Sequence, residues 1–280
     1  GDGRDANPTD AGDYCDGKIS TWHGTHVAGI IAAIKGNNKG IVGVAPSAKV
    51  QPLRVLGRCG GAEADIIAAI RWGAGLSVSG LTTNPTPAGV LNLSLGSTTP
   101  CTTAMQDAIN AANAAGVVVV AAAGNAAQPL VTSMPANCGN VISVAATGKD
   151  GTLAGYSNYG TASKPVTLSA PGGSSACTTT QAECVVSTWN KGTAGAGAEG
   201  YAGMAGTSMA APHVAGTAAL IEALDDNLNP AQIKTLLETT VTPDPVCTTT
   251  ACGPGVVNAG AAVKSVTDEA VEGLNTPVVT

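Results

Sequence analysis

Apolar segments of two lengths alternate along the chain. Short apolar runs bounded by glycine or polar residues predict strands at residues 50–56, 90–95, 117–123, 141–146 and 166–169. Longer runs that are amphipathic or rich in small residues predict helices at residues 25–34, 64–72, 102–115, 207–224 and 230–239. Because strands alternate with helices, we expect right-handed βαβ crossovers and an α/β fold with a parallel sheet.

The remaining segments lack this periodicity. Residues 1–22 are acidic and predict a loop, and residues 172–206 predict loops and small strands. Residues 266–280 predict a loose tail. We find no internal repeat and no linker long enough to divide the chain, so we expect one domain over residues 1–265.

The composition limits the partners of this domain. Hydrophobic residues make up 44% of the chain and charged residues 11%, and Phe is absent, so Ala, Val, Ile and Leu must build the core. The net charge is −6 and Lys and Arg form no cluster, so we expect no nucleic-acid partner and no anionic membrane. The longest apolar stretch, residues 117–123, is too short to span a bilayer.

The eight cysteines are an even number and indicate disulfides. Cys177 with Cys184, and Cys247 with Cys252, lie in short polar loops without zinc-finger spacing, which favours an oxidising, extracellular or periplasmic setting. The other four allow three pairings, of which we favour Cys15–Cys59 and Cys101–Cys138.

The run from Gly206 to Gly216 places Ser208 on a tight turn that opens an apolar helix. The unpaired first N–H groups of that helix favour negative charge beside the hydroxyl, as a nucleophilic serine requires. Thr207 can cap the helix with its side-chain oxygen, and the simpler interpretation of Ser208 is also a cap. His213 lies five residues further on, about 500° around the helix, so we interpret it as structural.

Two further segments can complete the chemistry of a nucleophilic serine. The run from His23 to Gly29 contains His23 and His26, three residues apart at the start of a helix. Such spacing could hold a metal, but no third ligand accompanies the pair, and a general base is the other interpretation. Asn125 follows the buried strand at residues 117–123, where an amide could donate to an oxyanion or simply form a turn.

Together the three segments resemble the motifs of the subtilisin-like serine proteases, and the resemblance covers roughly residues 20–240. It implies a three-layer fold with helices on both faces of a mostly parallel central sheet. It implies that Ser208 attacks the scissile carbonyl to form an acyl-enzyme, that His23 is the base, and that Asn125 and the Ser208 N–H hold the oxyanion. His26 is then structural. The acidic N-terminal loop and the cysteine placement are similar to those of secreted bacterial extracellular proteases.

The resemblance also implies a peptide-binding cleft. Its two edges would be the strand end at Ser94, Leu95 and Gly96 and the segment at Gly60 and Gly61, with the substrate added between them as a strand. The wall of the S1 pocket would be Ala122, Ala123 and Gly124. No charge falls on these positions, so we expect broad specificity with a neutral or apolar P1 side chain.

The acidic N-terminal loop is a candidate structural Ca²⁺ site, with Asp2, Asp5, Asp10 and Asp13 as ligands. A solvated acidic loop is the alternative. The resemblance favours the calcium site slightly over the solvated loop, since subtilases often bind calcium. Some of them bind it in the loop before the histidine helix.

No aspartate of the subtilase pattern, apolar-apolar-Asp-Thr/Ser-Gly, precedes His23. We therefore expect the first strand of the sheet and its catalytic Asp to lie upstream of residue 1, so that the domain lacks its first strand. Loss of that carboxylate typically costs about 10⁴ in turnover, so we expect low activity from this chain alone. The alternative function is an inactive peptide-binding module.

The expected function is therefore that of a secreted serine endopeptidase that acts on polypeptides. The expected partners are polypeptide substrates and a propeptide during folding, with the mature protein a monomer. An α/β-hydrolase esterase is excluded because the serine lacks a Gly-x-Ser-x-Gly elbow and His213, the only later histidine, faces away.

Overall fold

The structure, a computed structural model, describes residues 4, 7–17, 19–178, 180–243, 247 and 249–275. Its described strands are β1 Val90–Leu93, β2 Ser97–Thr98, β3 Val118–Ala122, β4 Ser133–Met134, β5 Ile142–Thr147, β6 Leu168–Pro171, β7 Val185–Asn190 and β8 Glu199–Met204. Its described helices are α1 His23–Ala32, α2 Glu63–Gly73, α3 Thr103–Ala114, α4 Thr207–Leu224, α5 Pro230–Thr239, α6 Thr249–Cys252 and α7 Ala259–Asn275.

The central sheet is parallel and has the strand order β1-β3-β5-β6. Its middle strand β3 is buried on both faces, and alternate residues serve different layers. Val119 packs into a core cluster with α2 and α3, whereas Val118 and Val120 pack into a cluster with α4 and α5. The predicted three-layer α/β fold, with helices on both faces of the sheet, is therefore confirmed.

Burial of a Val or Leu side chain contributes about 1.5–3 kcal/mol each, so these two clusters contribute strongly to the stability of the fold. Small residues let the layers approach closely, since Ala210, Ala211 and Ala218 on α4 are fully buried against the sheet.

No helix in the described part of the chain is long and apolar enough to cross a bilayer.

The segment at residues 50–56 differs from the sequence prediction, because it is extended but pairs with no strand among the described residues. This segment and the outer edge of β1 line part of a groove whose whole volume is about 2340 Å³. The segment has the composition of a strand but lacks the neighbour that would complete it.

The C-terminal prediction was also wrong in part. A loose tail was expected from residue 266, but α7 continues through this position to Asn275. Ala262 and Val266 are buried against the sheet-facing cluster that contains α4. The helix continues because this apolar face finds a surface to cover. Residues 276–280 lie outside the described residues.

The four disulfides pair as expected from the sequence: Cys15–Cys59, Cys101–Cys138, Cys177–Cys184 and Cys247–Cys252. The first connects the acidic N-terminal loop to the segment after residues 50–56. Arg58 also stacks on the ring of Tyr14, at 3.8 Å from its centroid, so two contacts join these loops.

Strands β7 and β8 form an antiparallel hairpin that packs on α1. Ser187 Oγ and Thr188 Oγ1 each donate to a carbonyl of α1, at 2.7 Å. Gly29 faces the same two hydroxyls, and a Cβ there would lie 2.4 Å from Ser187 Oγ and 2.2 Å from Thr188 Oγ1. The absence of a side chain at Gly29 therefore sets how closely the hairpin approaches α1.

We predict that Gly29→Ala lowers the free energy of unfolding by about 1–3 kcal/mol, because its methyl group forces the hairpin away from α1. Gly24→Ala is the matched control on the same helix, since no atom lies within 4 Å of its added Cβ. Urea unfolding of both variants checks the prediction. Equal stability of the two variants would contradict the packing.

Candidate active site

Ser208 lies in the first turn of α4, at the carboxyl end of the sheet. The residue before the helix, Gly206, supplies no side-chain cap. The predicted cap by Thr207 is wrong, because Thr207 is already inside the helix and its hydroxyl bonds elsewhere. Thr207 Oγ1 accepts from the Gly124 N–H at 3.0 Å and donates to Asn125 Oδ1 at 2.9 Å.

These bonds orient Asn125. The backbone N–H of Thr207 also donates to Asn125 Oδ1, at 2.8 Å. Since an N–H can only donate, the amide oxygen of Asn125 must face Thr207, and its Nδ2 group points away. A Cβ placed on Gly206 would lie 3.4 Å from Asn125 Nδ2 and 3.7 Å from Ser208 N, so both nitrogens border the space above Gly206.

Asn158 holds the turn that carries Asn125, a role that no sequence pattern predicted. Its side chain is buried. Its Oδ1 accepts from the N–H groups of Ala126 and Gln128 at 2.9 and 3.0 Å, and its Nδ2 donates to the Ala123 carbonyl at 3.0 Å. Gly124 has a φ of 109° and its Cβ would lie 2.4 Å from Asn158 Nδ2, so only glycine fits there.

Ser94 connects the end of β1 to Ser208. Its Oγ donates to the Ser208 carbonyl at 2.8 Å, and Ser208 Oγ donates to the Ser94 carbonyl at 3.4 Å. Asn92 supports the pair, since its Nδ2 donates to Ser94 Oγ at 2.9 Å. The predicted nucleophile therefore stands beside the predicted cleft edge.

His23 is the first residue of α1 and lines the same groove as Ser94. It makes no hydrogen bond to Ser208 in the structure. Trp22, just before it, takes the left-handed conformation with a φ of 46°, and its indole N–H donates to the Gly192 carbonyl at 2.6 Å. This buried anchor fixes the direction in which α1 begins.

The other two histidines are structural, as expected. His26 is buried and its Nε2 lies 3.0 Å from the Ala202 carbonyl, on the hairpin side of α1. His213 Nδ1 lies 2.8 Å from the Met209 carbonyl of its own helix. His23 thus lines the groove, whereas His26 contacts the hairpin.

Some of the predicted cleft residues line the groove, and others are buried in the core. Ser94, Leu95, Gly96, Gly60 and Gly61 all line the groove. Ala122 and Ala123 are buried in the two different core clusters, so only their backbone could face a ligand. Gly124 alone of the predicted S1 wall is partly exposed.

Of the predicted calcium ligands, Asp2 and Asp5 lie outside the described residues. Asp10 Oδ1 accepts from the Gly12 N–H at 2.9 Å, which leaves Oδ2 available. Both oxygens of Asp13 are engaged by the N–H and the hydroxyl of Thr21. Asp10 therefore fits a metal better than Asp13 does.

Asp13 interacts with His23 through its charge. Burial opposes its ionisation, but the hydrogen bonds from Thr21 outweigh burial and lower the pKa of Asp13. The resulting negative charge acts on His23, where burial lowers the pKa of the imidazole and Asp13 partly opposes this effect. Asp13 is thus an electrostatic neighbour of His23.

The geometry places Ser208 at a helix start, the amide of Asn125 beside it, and His23 on the groove that Ser94 also lines. The Subtilase family pattern matches residues 3–273, and the chain belongs to that family. It is 48% identical to an extracellular protease of Xanthomonas campestris over 273 residues, which cover 94% of this chain and 45% of that protein.

Two further matches agree with this family. An extracellular basic protease of Dichelobacter nodosus is 40% identical over 283 residues, which cover 95% of this chain and 45% of that protein. A solved protease structure from Pseudoalteromonas arctica superposes with a TM-score of 0.89 at 43% identity, over 94% of this chain and 79% of that one. The chain thus spans about half the length of these two curated relatives.

We predict that Asp13→Asn lowers the pKa of His23 further, because it removes the nearby negative charge that stabilises the imidazolium. NMR titration of the His23 ring measures the change. Asp16→Asn is the control, since Asp16 does not act on His23. An unchanged or raised pKa of His23 in Asp13→Asn would contradict the coupling.

Proposed function

We propose that the chain is the catalytic domain, over residues 1–265, of a secreted serine endopeptidase. Two curated relatives that it resembles are both described as extracellular proteases. The four disulfides fit an oxidising compartment outside the cytoplasm. The observation that carries the proposal is the alignment of Ser208 and Asn125 by Thr207.

In the proposed reaction, Ser208 Oγ attacks the scissile carbonyl while His23 takes its proton. The Ser208 N–H and Asn125 Nδ2 donate to the oxyanion of the tetrahedral intermediate. His23 then protonates the leaving amine, and water hydrolyses the acyl-enzyme by the same route. The lowered pKa of His23 favours its neutral form, which is the form that accepts a proton.

The mechanism needs a carboxylate to orient His23. Asp13 is a poor substitute, because Thr21 engages both of its oxygens and no hydrogen bond joins it to His23. We propose that the carboxylate follows a strand upstream of residue 1. Without it, this chain alone has low activity, and an inactive peptide-binding module is the competing function.

The proposed specificity is broad, with a neutral or apolar P1 side chain. A substrate strand between Ser94–Gly96 and Gly60–Gly61 would be held mainly by backbone groups, which do not depend on its sequence. We propose polypeptides as substrates, a propeptide as a folding partner, and a monomer as the mature state.

We also propose a structural Ca²⁺ in the acidic loop, with Asp10 as a ligand and Asp2 and Asp5 as further ones. Addition of EGTA should then lower the melting temperature by about 2 °C or more. The same loss should appear in Asp10→Asn without EGTA, while Asp16→Asn should retain the response. A melting temperature that does not respond to EGTA would remove the metal from the proposal.

A fluorophosphonate probe tests the proposed activity, since it reacts only with an activated serine. We expect Ser208 to be labelled in protein extended upstream to include the missing strand. Ser208→Ala should abolish labelling, and Ser79→Ala, at an exposed serine that does not line the groove, should not. Properly folded, extended protein that stays unlabelled would favour the inactive peptide-binding module.

A further inference from the structure

The loop that joins β7 to β8, residues 191–198, contacts the segment just before α1. We refer to it as the hairpin loop. The N–H of Ser20 donates to the Thr193 carbonyl at 2.8 Å, and its Oγ donates to the Ala194 carbonyl at 2.7 Å. Ser20 is 1% exposed, and a Cβ placed on Gly12 would lie 1.8 Å from the Ala194 carbonyl oxygen. The residues before α1 therefore pack directly on the hairpin loop.

Trp22 makes a third contact with the hairpin loop. Its indole N–H donates to the Gly192 carbonyl at 2.6 Å, and the residue is 2% exposed. Its backbone is left-handed, with a φ of 46° and a ψ of 32°. Residues other than glycine rarely adopt this conformation, because their Cβ then lies too close to the following carbonyl oxygen. The buried indole and its hydrogen bond therefore hold the backbone in a conformation that a residue without them would leave.

Asn190, the last residue of β7, fixes the shape of the hairpin loop. Its Oδ1 accepts from the N–H groups of Gly192 and Gly197 at 2.9 and 2.7 Å, and its Nδ2 donates to the Gly197 carbonyl at 3.3 Å. A Cβ placed on Gly192 would lie 1.9 Å from the Gly195 carbonyl oxygen, so the loop folds tightly back on itself. One side chain thus closes the loop whose carbonyls at residues 192–194 bind the segment before α1.

The place of the His23 imidazole follows from the backbone that carries it. No residue in the described part of the chain forms a hydrogen bond with the imidazole, and Asp13 acts on it through charge. The backbone of His23 comes directly after Trp22, whose carbonyl accepts the His26 N–H at 3.1 Å in the first hydrogen bond of α1. The start of α1 therefore cannot move without disturbing the contact between the indole and the hairpin loop.

We propose that Trp22 and Asn190 are positioning residues for His23. Asn190 shapes the hairpin loop, the loop holds the indole of Trp22, and the indole fixes the backbone from which the imidazole projects. Neither Trp22 nor Asn190 lines the groove, so neither contacts a substrate strand within it. The use of His23 as a base rests on the proposed function, whereas its placement by the hairpin loop does not.

Hydrogen exchange of the His26 amide, followed by NMR, tests the role of Trp22. Trp22→Phe keeps a buried aromatic ring and removes the indole N–H. We expect the His26 amide to exchange about ten-fold faster, because the first turn of α1 opens more often when a buried carbonyl loses its donor. Trp72→Phe is the matched control, since the Trp72 indole also donates to a carbonyl, that of Thr82 at 2.8 Å, but from α2. It should leave the His26 rate unchanged.

Variants of Asn190 test the same contacts while the indole stays in place, and they decide the matter if Trp22→Phe does not fold. Asn190→Ala should also speed exchange at His26. Asn190→Asp should restore slow exchange, because a carboxylate still accepts from both N–H groups of the loop. Asn229→Ala is the control, since Asn229 Oδ1 likewise accepts two backbone N–H groups, but at the start of α5. It should not change the rate at His26.

Turnover separates this proposal from the proposed function. In protein extended upstream, Trp22→Phe and Asn190→Ala should lower kcat by about ten-fold with KM unchanged, because they misplace the base and not the substrate. Faster exchange at His26 in a protein whose unmodified form is inactive supports the placement and counts against the protease alone. An unchanged His26 rate in both variants overturns the positioning. So does an equal increase in the two controls, since the hairpin loop would then contribute only to overall stability.

Discussion

The hydrogen bonds of Thr207 connect the end of β3 to the start of α4, and the candidate site depends on this connection. Thr207 immediately precedes Ser208. Its hydroxyl bonds to both Gly124 and Asn125, and its N–H donates to Asn125. One residue thereby fixes the nucleophile and the amide donor relative to each other. Each such bond contributes only about 1 kcal/mol to stability, so its larger effect is on orientation.

The small-residue core makes this connection possible. Fully buried alanines on α4 and glycines such as Gly29 on α1 bring helices close to the sheet and the hairpin. The start of α4 can then reach the turn after β3, while α1 places His23 on the groove beside Ser94. A site assembled from three separate segments needs this tight packing, because no single element carries all of its groups.

The sequence predicted what depends on local pattern. The bounds of α4 and α5 agree with prediction, because periodicity, small residues and Pro230 at the first helical position define them locally. Features that depend on distant partners were missed. Thr207 was expected to cap its helix, and nothing local indicated that its hydroxyl bonds a turn about eighty residues away.

Long-range partners explain the other differences as well. Residues 50–56 have strand composition, but they pair with no strand in the described part of the chain. Asp13 bonds to Thr21 and interacts through its charge with His23. The loop that carries Asp13 has no periodicity, so the sequence pattern could not predict these interactions. Residues 266–275 were predicted as part of a loose tail, and only the packing of α7 on the core reveals that they are helical.

The most direct measurement is the turnover of Asn125→Ala in protein extended upstream to include the proposed strand and its carboxylate. In subtilisin, removal of such a donor lowers kcat by about 10²–10³-fold, and we predict the same loss here with little change in KM. Ala126→Ser, at the neighbouring exposed position, is the control. A kcat within about three-fold of the unmodified enzyme would contradict the role of Asn125 in binding the oxyanion.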